Sequence, residues 1–352
     1  MAAVVFGPEQ ARRRSRPRTG LVLGAGGVLG AAWMTGALAC LQDRLADPLG
    51  DADVIVGTSA GSVLAAALRC RATVQEMVAW QRGEATGVLR ESVVLAARDG
   101  PFPPLPHLRL GSPPLAWAAL LQPHRVPPLV AASAWLPHGR GQHVALRALV
   151  DTLHRSPGRT GGTGGTGGTG GTGPGDAPTW VRDHTWIAAV DYDTGQHVLF
   201  GQPGAPRASL PDAVVASCSI PGWYSPAVIG GRRYVDGGVR SATSLGVLAG
   251  TDVQEVYVLA PLASTQADHP FQPHLRIERQ IRQLITRAIL RQARVLAAQG
   301  KRVTVLTPGP QDLAAMGINL MDPRRRQAVL ETSFRTSADA LAGLGSAGSR
   351  AA

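Results

Sequence analysis

Between residues 21 and 68 the chain twice runs from a short apolar segment through a glycine-bearing turn into a helix-like segment. Residues 21–23 (LVL) read as a buried strand, a glycine loop follows, and a helix is expected over about 31–45. Residues 54–56 (VIV) read as a second strand, 57–61 as a tight turn, and 62–68 as a second helix. Short apolar strands alternating with helices belong to a parallel sheet, because parallel neighbours are joined by helical crossovers. The fold class is therefore α/β, with a mainly parallel central sheet flanked by helices.

The rest of the chain is less regular. Residues 1–19 are basic and read as a disordered tail. Residues 101–137 hold ten prolines, a density that blocks long helices and central strands. A helix is expected over 142–155, followed by GGTGGTGGTGGTG at 161–173, a low-complexity linker with no side chains to bury. Order resumes at Trp186. Segments 187–190 and 198–200 flank Asp193, Thr194 and Gly195 and predict a hairpin. Asp191 and Asp193 read as turn residues rather than metal ligands. A second hairpin pairs 228–229 with 233–235, further strands fall at 256–259 and 303–306, and helices at about 275–299 and 323–342. The organisation expected is a catalytic unit over 20–250, interrupted by a variable insertion at 101–180, with 251–352 completing the fold.

Composition excludes several chemistries. Lys301 is the sole lysine and sits in GKRVT, which fits neither a phosphate-binding P-loop nor a Schiff base. Cys40, Cys70 and Cys218 are far apart and odd in number, so they read as small buried residues rather than a disulfide or zinc framework. No cofactor or metal is expected. The net charge of +11 is almost all arginine; no stacking aromatics alternate with it, so nucleic acid is not the expected partner. With no apolar run of membrane-spanning length, the expected location is cytoplasmic, with peripheral contact at the inner membrane face.

Three glycine-rich motifs carry the chemistry. Gly57-Thr58-Ser59-Ala60-Gly61, between strand and helix, is a G-x-S-x-G nucleophile elbow in its required context. Gly24-Ala25-Gly26-Gly27-Val28-Leu29-Gly30 also joins strand to helix, where backbone N–H groups converge on an anion. A dinucleotide loop is the competing reading, but G-x-G-x-x-G would need glycine where Leu29 stands. Asp236-Gly237-Gly238 ends a strand in a sharp turn that aims a carboxylate into a cleft.

In that order, GAGGVLG, GTSAG and DGG resemble the motifs of the patatin-like lipid acyl hydrolases, as do ASCSIPGWYSPAVIGGRRYVDGG and VLTPGPQDL in their flanks. The resemblance covers 20–250 well and 250–335 more loosely. It implies a three-layer patatin-like fold, a serine–aspartate dyad of Ser59 and Asp236, and an oxyanion hole built from the amides of Gly26, Gly27 and Val28. Gly24, Gly30, Gly57, Gly61, Gly237 and Gly238 would be motif glycines, and the substrate a lipid or other acyl ester. Leu29 departs from the family, which usually has Arg or Lys there, and Ala25 replaces a usual glycine. Two alternatives stay open: an α/β-hydrolase triad with His269 or His274, and a non-catalytic lipid-binding regulator.

The helix over 276–299 carries a further expectation. Ile277, Ile281, Leu284, Ile285, Ala288, Val295 and Leu296 share one side of the helical wheel, while Arg276, Arg279, Arg282, Arg287, Arg291 and Arg294 cover the other. The apolar side is expected to pack on the protein, leaving the arginines to meet an anionic membrane.

Overall fold

The computed structural model describes residues 1–8, 16–84, 104–155, 180–181, 184–266, 268 and 271–349. The Gly/Thr tract at 161–173 and His269 lie outside them. Eleven strands are found among the described residues: β1 (Ala2–Phe6), β2 (Thr19–Leu23), β3 (Val54–Thr58), β4 (His107–Leu110), β5 (Pro137–His138), β6 (Thr185–Asp191), β7 (His197–Phe200), β8 (Ala227–Ile229), β9 (Arg232–Asp236), β10 (Glu255–Leu259) and β11 (Arg302–Thr307). The α-helices are α1 (Gly27–Gln42), α2 (Ala60–Arg69), α3 (Val74–Arg82), α4 (Pro113–Leu121), α5 (Pro128–Trp135), α6 (Val144–Arg155), α7 (Leu210–Cys218), α8 (Pro273–Ala298), α9 (Pro310–Met316) and α10 (Arg326–Ser349).

The main sheet has the order β1-β11-β10-β2-β3-β6-β9-β8, with β7 also paired to β6. Strands β11, β10, β2, β3 and β6 run parallel; β1, β7, β8 and β9 are antiparallel to their neighbours. Both faces of the parallel part are covered, which is why its strands read as continuous apolar runs. Leu21, Leu23, Ile55 and Ile187 join α1, α2 and α7 in one core. Val22, Val56, Val258 and Val305 point the other way and meet Ile289, Ala293 and Leu296 of α8. Helix α1 is apolar nearly all round because it is enclosed between the sheet and α10; Trp33 is fully buried and its carbonyl accepts from Ser333 Oγ at 2.7 Å.

Two expectations are corrected. Residues 1–19 are not wholly a disordered tail: residues 2–6 form β1, antiparallel on β11 with Val4 opposite Val305. The run AAVVF suits a strand, and β11 would otherwise present an open sheet edge. The Met1 amino nitrogen lies 3.0 Å from the buried Asp312 carboxylate, and Arg18 pairs with Asp53 and Asp252. The basic composition that suggested disorder is thus partly matched by specific carboxylates.

The second correction concerns α8. Its expected apolar side is split: Ile277, Ile281, Leu284 and Val295 are exposed, whereas Arg282, Thr286, Ile289, Ala293 and Leu296 are buried. The reason is Arg282. Its guanidinium donates to the Pro261 carbonyl at 2.6 Å and pairs with Glu278 one turn back, which fixes the rotation of the helix about its axis. A wheel drawn from hydropathy gives an inward arginine no place.

The turn reading of Asp191 and Asp193 matches the structure. Asp191 accepts from the amides of Asp193 and Thr194 at 3.0 Å each, and Asp193 pairs with Arg233. No described helix is long and apolar enough to cross a membrane.

Candidate active site

The nucleophile elbow is built by close backbone approach. A Cβ on Gly57 would lie 2.6 Å from Ser62 Cα, and one on Gly61 would lie 2.0 Å from the Leu23 carbonyl oxygen. Between them Ser59 adopts φ 53° and ψ −123°, a strained conformation for a residue with a side chain. Two serines hold it there. The Ser59 amide donates to Ser217 Oγ at 2.9 Å, and Ser217 Oγ donates to the Ala188 carbonyl at 2.6 Å. The Ser59 carbonyl accepts from both the amide and the hydroxyl of Ser62, at 2.7 and 2.6 Å.

Asp236 reaches the same place from the other side of β6. Thr58 pairs with Ala188 and Asp236 with Ala189, so adjacent residues of β6 set the relative heights of nucleophile and acid. The Asp236 amide donates to the Ser219 carbonyl at 2.9 Å. Its carboxylate accepts from the Gly238 amide at 2.7 Å. Gly237 sits where a Cβ would be 2.5 Å from the Ala188 carbonyl oxygen. Burial pushes the Asp236 carboxyl up to about 6, while the neighbouring Ser59 side chain and the Gly238 amide pull the other way.

The first glycine loop closes on both motifs. The Gly61 amide donates to the Gly24 carbonyl at 3.1 Å, and a Cβ on Gly238 would lie 3.2 Å from Ala25 Cβ. Gly27 has φ +61° and starts α1, with Gly26 as its N-cap. The Leu29 amide donates to the Leu320 carbonyl at 2.9 Å and the Gly30 amide to the Gly26 carbonyl at 2.8 Å. Among the described residues no backbone carbonyl accepts from Gly26, Gly27 or Val28. Those three amides are the open donors of a helix N-terminus. Leu29, at the family's usual basic position, is fully buried, so no charged side chain stands in this loop.

The residues singled out in all three motifs are therefore brought together at the carboxyl ends of β2 and β3 and the end of β9. His274 is not among the groups hydrogen-bonded to Asp236; it is exposed in the first turn of α8. Sequence reasoning missed Ser217, Ser62 and Ser219, whose only signal is the density of serines in VVASCSI and in the turn after Ser59. It also missed a buried chain beneath the elbow, in which Ser244 Oγ lies 3.2 Å from both Thr58 Oγ1 and His197 Nε2. Burial pushes the His197 imidazole down to about 4, so it is neutral there.

The family model described as Patatin-like phospholipase matches residues 21–249. The chain belongs to the patatin-like phospholipase family. That match spans β2 to the turn before β10 and contains all three motifs of this patatin-like site. Among solved structures, VipD from Legionella pneumophila is similar at 12% identity and a TM-score of 0.40, covering 94% of this chain and 67% of that one. The type III effector protein ExoU is similar at 16% identity and a TM-score of 0.26, covering 99% of this chain and 64% of that one. The chain thus spans about two thirds of the length of each. No curated protein sequence matches it.

Proposed function

We propose that this patatin-like protein is a serine hydrolase of lipid acyl esters, of the phospholipase A or lysophospholipase type, working through Ser59 and Asp236. The observation that carries the reading is the strained backbone of Ser59 in the elbow, set one β6 residue from a buried carboxylate that burial pushes up to about 6. A carboxylate with that basicity is a competent general base at neutral pH. Ser59 Oγ attacks the ester carbonyl as its proton passes to Asp236. The oxyanion that forms takes hydrogen bonds from the amides of Gly26, Gly27 and Val28. Collapse expels the alcohol, which takes the proton from Asp236 and leaves an acyl-Ser59 ester. Water then attacks that ester with Asp236 again as base, releasing the fatty acid and restoring the hydroxyl.

Purified protein treated with a fluorophosphonate probe is expected to carry the label on Ser59, and to release fatty acid from a phospholipid and lysophospholipid panel. Ser59→Ala is expected to lose the label and at least about a thousandfold in kcat, with its melting temperature kept within a few degrees. Wild-type protein that neither labels nor turns over any ester of the panel would leave a lipid-binding protein on this fold. Strong loss in His274→Ala together with retained activity in Asp236→Asn would replace the dyad by a triad.

A further inference from the structure

Helices α4 and α5 form a hairpin that departs from the ordinary pattern of a surface helix. One side packs: Leu115, Val126, Val130 and Ala134 cover Val190, Tyr192 and Val235, with Val239 at the margin. Tyr192 Oη donates to the Ser133 carbonyl at 2.7 Å, and Arg233 donates to the Gly111 carbonyl at 3.1 Å, which ties the hairpin to β6 and β9. The other side should then be polar, and it is not. Trp117 is 65% exposed, Leu120 62%, Leu121 63%, Leu129 67% and Trp135 51%. A helix pair with apolar residues on every side and only one side covered has a second apolar environment.

Charge names that environment. Residues 104–150 contain Arg109, Arg125, Arg140 and Arg147 and no aspartate or glutamate. Arg147 is paired with Asp212, and Asp193 lies 3.5 Å from Ser112 at the start of α4. An apolar surface with exposed tryptophans, on a segment whose own charged side chains are all arginines, matches the interface of an anionic bilayer, where indole rings sit at headgroup depth and arginines meet phosphate. The hairpin is also continuous with the catalytic machinery. Val235 and Val239, which it packs against, bracket Asp236.

We infer that α4 and α5 dock the enzyme on anionic lipid surfaces, holding the Asp236 side of the site against the substrate. This rests on the lipid-ester reading of Ser59 and Asp236, and it moves the expected membrane contact from the arginines of α8 to the hairpin.

The test is co-sedimentation of the full chain with vesicles of phosphatidylglycerol and of phosphatidylcholine at low and high salt, beside hydrolysis of a water-soluble short-chain ester. Wild type is expected to partition at least about tenfold better onto phosphatidylglycerol, with the preference shrinking as salt rises. Trp117→Glu with Leu129→Glu is expected to lower that partitioning at least about tenfold and to leave short-ester turnover within twofold, since both side chains are exposed. Arg125→Gln alone is expected to lower it about fivefold at low salt. Ile281→Glu with Leu284→Glu, on the exposed side of α8, is expected to change little. Binding retained within twofold in the hairpin variant, or equal binding to both lipids, overturns the inference. So does a greater loss in the α8 variant, or a soluble dimer that only the hairpin substitutions dissociate. The binding arm reads out even if no ester is turned over, so failure here and failure of the catalytic reading are distinguishable.

Discussion

As a buried carboxylate, Asp236 acts against stability at neutral pH. Its carboxyl titrates near 6 in the fold because burial opposes the charge, against about 3.9 in an unfolded chain. The folded state therefore holds the proton more tightly. This group favours folding at low pH, and that contribution is lost as pH rises from about 4 through 6. Two measurements follow. The acidic limb of kcat/KM is expected near pH 6. Asp236→Asn, besides losing activity, is expected to raise the melting temperature relative to wild type at pH 8 and to show a smaller gain at pH 4.5; the reverse order would contradict the burial argument. Ser59 carries strain of a different kind. At φ 53° a side chain costs roughly 1–3 kcal/mol, so Ser59→Gly is expected to melt higher than Ser59→Ala while both are inactive.

At the scale of elements, the elbow is a packing device. Gly61 lies where α2 touches the end of β2, and an added methyl would meet the Leu23 carbonyl oxygen at 2.0 Å. Gly61→Ala is expected to destabilise by at least about 2 kcal/mol, read as a drop of roughly 5 °C or more in thermal unfolding. Gly246→Ala, where the nearest contact would be an ordinary 3.6 Å, is the matched control and is expected to change little. Elements of this kind were legible in sequence for a physical reason. Strands β2, β3, β6, β10 and β11 are buried on both faces, so each announces itself as an apolar run bounded by turns. Their lateral order was not legible, because the insertion of β10 between β2 and β11 depends on pairings between distant segments. Within the site, Ser59 could be read from two glycines at fixed spacing, and Asp236 from its glycine turn together with the other motifs. Ser217 could not, since a buried serine in a helix has no pattern until the amide it receives is in place. The rotation of α8 was hidden likewise: it follows from one hydrogen bond of Arg282 to a loop carbonyl.

For the whole molecule, acid is the stress that the buried groups anticipate. His143, stacked on Tyr224 and bonded to the Cys218 carbonyl, and His197, beneath the elbow, are both pushed by burial down to about 4 from 6.5. Each stays neutral in the fold and gains a proton in the unfolded chain. Their contribution is complete above about 6.5 and is lost as pH falls toward 4. Asp236 works in the opposite direction over an overlapping range, but it is one group against two. Thermal stability is therefore expected to fall between pH 6.5 and 4.5. The double substitution His143→Gln with His197→Gln is expected to flatten that fall measurably; an unchanged slope would place the acid sensitivity elsewhere.

The pairing of β1 with β11 has a consequence for how the chain is made. Phe6 stands opposite Val303, so β1 leaves the ribosome nearly 300 residues before its partner exists. At about 5–20 residues per second that is roughly 15–60 s. Meanwhile the chain of β2 and β3, which pair with each other, is already complete, and β10, the other neighbour of β11, also precedes it in the chain. Over that stretch of synthesis AAVVF is an apolar segment without its partner strand, a segment for a chaperone to hold.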